Sequence, residues 1–227
     1  MDMSSAIGGT MFGAKWARWA AGAGVLFVVF FVISFFIAST PDSGDSASKI
    51  ATYYVNHKRA VNVSGLFTYL AVFAGGWFYV WLWRYFRSFA DQEVPATVAL
   101  VGVVIFATSG ALSAGINFTF TDHTKSLNAG ALVALNQLQN DLTYPMTIVG
   151  LALFYAAAGA IIHRARAFPG WLAWVSWVLA LGALIPFVAF FALLATPIWV
   201  LIVSFLLWRR PAGALVALPA TTTTSLA

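Results

Sequence analysis

The chain has 227 residues, 61% of them hydrophobic and only 8% charged, and its mean hydropathy is +0.87. A water-soluble domain carries about 25% charged residues, so lipid must solvate most of this surface. The length suits one helical bundle and leaves no segment for a second folded domain. The net charge of +5 comes from basic residues in small groups beside apolar runs, without a patch or stripe. That distribution argues against nucleic acid as a partner and for topology determinants that touch anionic lipid. With no cysteine, disulfides, thiolate chemistry and cysteine-ligated metals are excluded.

Residues 1–18 read as a short cytoplasmic segment carrying Lys15 and Arg18. The apolar run from about Trp19 to Ala38 exceeds the roughly 7–15-residue core of a signal peptide and is long enough to cross about 30 Å of hydrocarbon. Pro41 after Ala38-Ser39-Thr40 makes a poor cleavage site, so this run is a retained first span. In the polar stretch that follows, Ser46 is placed to cap a short helix through Ile50, Tyr53, Tyr54 and His57, lying on the interface. Span two runs from about Asn62 to Trp83, ends in a dense aromatic cluster and stops at Arg84 and Arg87.

Span three is expected at about Ala96 to Phe118. In the loop from Thr119 to Asp141, residues Leu127, Ala131, Leu135, Leu138 and Leu142 recur at helical spacing and predict an amphipathic helix. Span four follows from about Leu142 to Ile162 and ends at His163, Arg164 and Arg166. From Pro169 to Trp208 no charge appears. A single helix there would be about 60 Å long, twice the apolar thickness, so the segment must fold back. Spans five and six are placed at about 170–187 and 190–208, with Pro186 and Pro197 bracketing the hairpin. The transmembrane domain then covers 19–210, and the Ala/Thr-rich tail 211–227 is read as disordered.

One side of this scheme collects Lys15, Arg18, Arg84, Arg87, Arg164, Arg166, Arg209 and Arg210; the other holds Lys49, Lys58, Arg59 and Lys125. The basic bias puts both termini in the cytoplasm. The expected fold is therefore all-α: a polytopic bundle of six transmembrane helices, N-in and C-in, with short amphipathic helices in its two large outer loops.

No Asp, Glu, Lys or Arg falls inside a predicted span, which argues against a proton relay or voltage sensor. No two histidines face each other at mid-membrane, so a bis-histidine haem is not expected. No phosphate loop, zinc-protease motif or nucleophile elbow is present, and no cofactor is predicted. Two constellations remain. On the outside, His57, Asp122, His123 and Asp141 are candidates for a metal or general-base site, against the plainer reading of solvated loop residues. Within the membrane, Ser109, Ser113 and Asn117 are four apart and share one face of span three. Ser64 and Thr68 on span two, and Thr143 and Thr147 on span four, lie in the same outer half. Together these seven residues could line a ligand pocket or serve as interhelical hydrogen-bonding glue. The small neighbours Gly110, Ala114 and Gly115 fit the second reading.

The stretch Ser46-Ala47-Ser48-Lys49-Ile50-Ala51-Thr52-Tyr53-Tyr54-Val55-Asn56-His57-Lys58-Arg59, the opening Pro169-Gly170-Trp171-Leu172-Ala173-Trp174, and Trp199 with Ser204 and Leu207 before Arg209 resemble uncharacterised six-span membrane proteins of actinobacteria, a bacterial multipass family of undefined function. The resemblance implies a six-helix bundle in a bacterial plasma membrane and brings no catalytic residues. The expected role is non-enzymatic: an accessory subunit, or a binder of an apolar ligand, whose partners are membrane lipids, another membrane protein or a second copy. A small carrier or channel for a neutral or lipid-like solute is the alternative. A membrane enzyme with an outward His/Asp site comes third.

Overall fold

The computed structural model describes residues 3–209, with side chains from Trp16 onward apart from Pro186. The tail 211–227, expected to be disordered, lies outside these residues. Every regular element among them is helical: α1 (Met3–Ile37), α2 (Ala47–Asn56), α3 (Lys58–Arg87), α4 (Glu93–His123), α5 (Ala129–Leu138), α6 (Tyr144–Ala165), α7 (Gly170–Ala183) and α8 (Pro186–Trp208). A π-helical turn over Gln139–Thr143 joins α5 to α6. Five stretches are long and apolar enough to cross a membrane: Trp16–Ile37, Lys58–Arg87, Glu93–His123, Ala129–Ala165 and Phe187–Trp208.

Local chemistry sets the boundaries. Ser46 caps α2, its Oγ accepting the Lys49 N–H at 3.4 Å, and Asn128 caps α5, its Oδ1 accepting the Ala131 N–H at 2.8 Å. His57 alone separates α2 from α3, so the short helix turns directly into the long one. Helix α6 ends on Arg166 in the left-handed region, at φ 50°, which is costly for a residue with a Cβ. The two residues that follow explain why it is held there. Ala167 accepts a hydrogen bond from Tyr85 Oη at 3.1 Å, and the buried Phe168 ring packs between Tyr85 and Phe86.

Two expectations change. The last hairpin does not lie between Pro186 and Pro197. It turns at Leu184–Ile185, Pro186 opens α8, and Pro197 sits inside that helix. A proline lacks an N–H and has a preset φ, so it suits a first helical turn, where that donor would be unused. Helix α7 is left with 14 residues, about 21 Å, short of about 30 Å of hydrocarbon. The second change concerns α5, which is not a separate element but runs through the π-helical turn into α6. Its buried row is Leu132, Asn136, Gln139 and Thr143, while Leu138 and Leu142 are exposed. Of the predicted leucine row, Leu127 and Leu135 pack against the core beside α2, whereas Leu138 and Leu142 face outward. Among lipids, the apolar face can turn outward and the polar face inward.

Six helices form a closed ring in the order α1, α3, α4, α6, α7, α8 and back to α1. Aromatic rings fill its centre. Phe27 of α1 meets Tyr79 of α3 at 5.8 Å, Tyr79 meets Phe154 of α6 at 5.2 Å, and Phe154 meets Trp199 of α8 at 5.2 Å, all buried and all edge-to-face. Edge-to-face pairs gain electrostatically beyond their burial. Trp199 also donates from Nε1 to Ser176 Oγ of α7 at 3.0 Å, and Tyr155 Oη bonds Thr196 Oγ1 at 2.9 Å. Helices α4 and α6 touch backbone to backbone: a Cβ on Gly102 would lie 2.6 Å from Gly150 O, and one on Gly150 2.7 Å from Gly102 O. Outward, Phe73, Trp77 and Phe187 stand exposed, as expected where lipid is the solvent.

A cap covers one end of this ring. Its core is Ile50 and Tyr54 of α2, Val61 of α3, Ile116 and Phe120 of α4 and Leu132 of α5. The Tyr54 ring stacks on Phe120 at 4.2 Å.

Candidate functional site

Five of the seven polar residues singled out meet on the seam between α4 and α6, directly beneath the cap. Ser109 Oγ donates to Thr143 O at 2.9 Å and shares a hydrogen bond with Thr147 Oγ1 at 2.5 Å. One turn further along α4, Ser113 Oγ accepts from Gln139 Nε2 at 3.3 Å. Another turn on, Asn117 Oδ1 accepts from both Gln139 Nε2, at 3.1 Å, and Tyr54 Oη, at 3.2 Å. Four-residue spacing on α4 places these three side chains one above another, and the π-helical turn presents Gln139 and Thr143 to them. Thr143 Oγ1 in turn donates to Gln139 O.

The other two members of the predicted set go elsewhere. Ser64 Oγ donates to Ser34 O of α1 at 2.8 Å, and Thr68 Oγ1 donates to Ser64 O of its own helix at 2.9 Å. The Ser64 bond ties α3 to α1, whereas that of Thr68 stays within α3.

Sequence reasoning missed half of this network. Asn136 Nδ2 donates to Asp42 O at 2.8 Å, Asn140 Nδ2 to Pro41 O at 3.2 Å, and Gln139 Nε2 reaches Thr40 Oγ1 at 3.4 Å. Three side-chain amides at 136, 139 and 140, one helical face, thus tie the segment between α1 and α2 onto the bundle. That spacing was the available signal. Two acceptors in the network, Gln139 Oε1 and Asn136 Oδ1, are buried and have no hydrogen-bond partner, an uncommon state for buried polar atoms. The site holds no charged side chain, so its chemistry is neutral hydrogen bonding. Burial, with Tyr53 adding a smaller part, holds the Tyr54 phenol above its ordinary range.

The outward His/Asp set is arranged differently. His57 stacks on Tyr53 at 4.4 Å, Asp122 pairs with Lys58 at 3.4 Å, and His123 and Asp141 are exposed. Among the described residues no three His, Asp or Glu side chains come together.

The cap also carries an open cleft of about 540 Å³, walled by the 39–42 segment on one side and by residues of α2 on the other. It does not include Ser113 or Asn117.

Fold and site define an apolar, all-helical bundle of membrane type with a polar seam under a helical cap. No family model, curated protein or solved structure matches the chain.

Proposed function

We propose that the chain is a non-enzymatic, six-span protein of a bacterial plasma membrane, with both ends in the cytoplasm, working as an accessory or binding subunit. This keeps the resemblance to the actinobacterial six-span family as its setting. One observation carries the reading: the polar side chains expected to line a transport pocket are engaged in helix-to-helix and helix-to-cap hydrogen bonds, while aromatic rings close the middle of the bundle. A protein built this way acts through its surfaces. Its partners are membrane lipids together with another membrane protein or a second copy of itself.

The basic residues support six spans rather than five. Helix α7 packs between α6 and α8, and counting it as a span puts Arg164 and Arg166 on the same side as Arg209. A short span is accommodated by local thinning of the bilayer.

The carrier reading has a specific observation in its favour. The unpartnered Gln139 Oε1 and Asn136 Oδ1 lie beside a π-helical turn, and such turns recur at functional sites. Extraction in a gentle detergent separates the two readings. An accessory subunit runs above the mass of the single chain, with a stoichiometric second polypeptide or a second copy. A single chain that moves a neutral solute across proteoliposomes would replace this proposal with the carrier.

A further inference from the structure

The cleft on the cap is stiff and carries one carboxylate that the fold leaves unspent. Its inner wall is fixed from behind, because Asn136, Gln139 and Asn140 donate into Asp42 O, Thr40 Oγ1 and Pro41 O. Its opposite wall is fixed by Tyr53, whose Oη donates to Ser39 O at 2.6 Å and accepts from Ser39 N–H at 3.1 Å, and whose ring stacks on His57. A prefixed cavity loses little entropy when a ligand enters.

The charges in the cleft are unequal in their commitments. Asp45 accepts the Asp42 backbone N–H through Oδ2 at 3.1 Å and pairs through Oδ1 with Lys49 Nζ at 2.6 Å. The Asp42 side chain is exposed and makes no ion pair among the described residues. Lys49, the only cationic side chain lining the cleft, is held above its ordinary pKa chiefly by its hydrogen bond to Asp45 and that carboxylate's charge, with Asp42 adding less. Lys58, just beyond, is turned to Asp122. With His57 neutral, the cleft therefore presents one net negative charge. Ser39, Ser48, Thr52 and Asn56 also line it, the three hydroxyls already hydrogen-bonded to Tyr53 Oη, Ser46 Oγ and Ser48 O but keeping lone pairs that can accept.

We propose that this cleft binds a small organic cation, an aliphatic ammonium group on Asp42 with its polar substituents on the surrounding hydroxyls. The volume is in the range of small-molecule sites, roughly 300–1,000 Å³. The proposal goes beyond the accessory reading and does not depend on it, because the site is complete within one chain. The ammonium could be a free solute or the headgroup of an ethanolamine phospholipid, and the two share the same chemistry.

The test uses the full-length chain purified in detergent and titrated with ethanolamine, with glycerol as the uncharged control. Saturable ethanolamine binding that weakens with salt is expected, with no response to glycerol. Asp42→Asn should weaken it about fivefold, the scale of one exposed charge pair, without changing the melting temperature of the free protein, since only the Asp42 backbone is tied into the fold. Lys49→Ala releases Asp45 and should tighten binding, so the two variants move in opposite directions. In nanodiscs, stabilisation by phosphatidylethanolamine over phosphatidylglycerol that Asp42→Asn removes identifies the headgroup. Equal binding of free ethanolamine in both discs identifies the solute. Failure of ethanolamine to bind in detergent together with no preference among discs overturns the proposal, as does equal affinity in wild type and Asp42→Asn. Loss of a partner subunit in gentle detergent leaves these readouts untouched, so the failure of one reading is not the failure of the other.

Discussion

At Gly102 and Gly150 the missing side chain decides how two helices meet. Each helix presents its backbone to the other, and an added methyl would sit 2.6 Å from both Gly150 O and Phe154 N. Neither atom belongs to a movable side chain, so α4 and α6 must separate. Gly102→Ala is expected to lower stability by about 1–3 kcal/mol, the usual cost of overpacking, read as a lower melting temperature in detergent. Gly76→Ala, where nothing lies within 4 Å, is the matched control and should leave the melting temperature unchanged or slightly raised, since alanine favours helix. The sequence held both glycines in plain view, but one chain read alone cannot say which faces which. The same limit hid part of the polar network. Ser109, Ser113 and Asn117 were legible from their spacing, whereas their partner Gln139 lay in a segment read by its leucines. Hydropathy reports that a face is apolar; whether protein or lipid covers it depends on neighbours that the local pattern does not encode.

The cap is the element where buried polarity and titration meet. Tyr54 lies between Phe120 and Asn117, and its phenol donates to Asn117 Oδ1, an arrangement that suits only the protonated ring. Burial raises its pKa above the ordinary 10.0. The folded cap therefore keeps a proton that the unfolded segment releases. Its contribution is intact below about pH 10 and is lost as pH rises through the folded value. Melting curves from about pH 8 to 11 should show wild type losing stability above pH 10 more steeply than Tyr54→Phe. At neutral pH the variant should be only about 0.6 kcal/mol less stable, the typical worth of one such hydrogen bond in a membrane protein; parallel curves would remove Tyr54 from the account. The helix carrying it was readable from the Ser46 cap and the spacing of Ile50, Tyr53 and Tyr54. The fusion of α5 to α6 was not, because a π-helical turn inserts a residue without a sequence signature comparable to proline or glycine. Conversely, Pro186 and Pro197 look alike in sequence but do different work, one starting α8 and the other lying within it.

For the whole molecule, the question is whether the chain crosses five times or six, and α7 decides it. Five helices have membrane length without argument, while α7 spans 14 residues, about 21 Å. Yet α7 has little to hold it in water. Trp171, Trp174, Val178 and Leu181 form an exposed apolar row along it, and its opposite side is buried against α6 and α8. Five crossings would place Arg164 and Arg209 on opposite faces of the membrane, against the basic bias; six place them together. The chain lacks cysteine, so single cysteines at Arg164, Arg209, Ser88 and Ser126 can be labelled one at a time with an impermeant thiol reagent. Ser88, which ends α3, and Ser126, just past the end of α4, are both exposed, with the length of α4 between them, and calibrate the two sides. In intact cells only the Ser126 position should react. In inverted vesicles the other three should react and Ser126 should not. Labelling of Arg209→Cys but not Arg164→Cys in intact cells would mean that α7 does not cross, and the C-terminus would then lie outside.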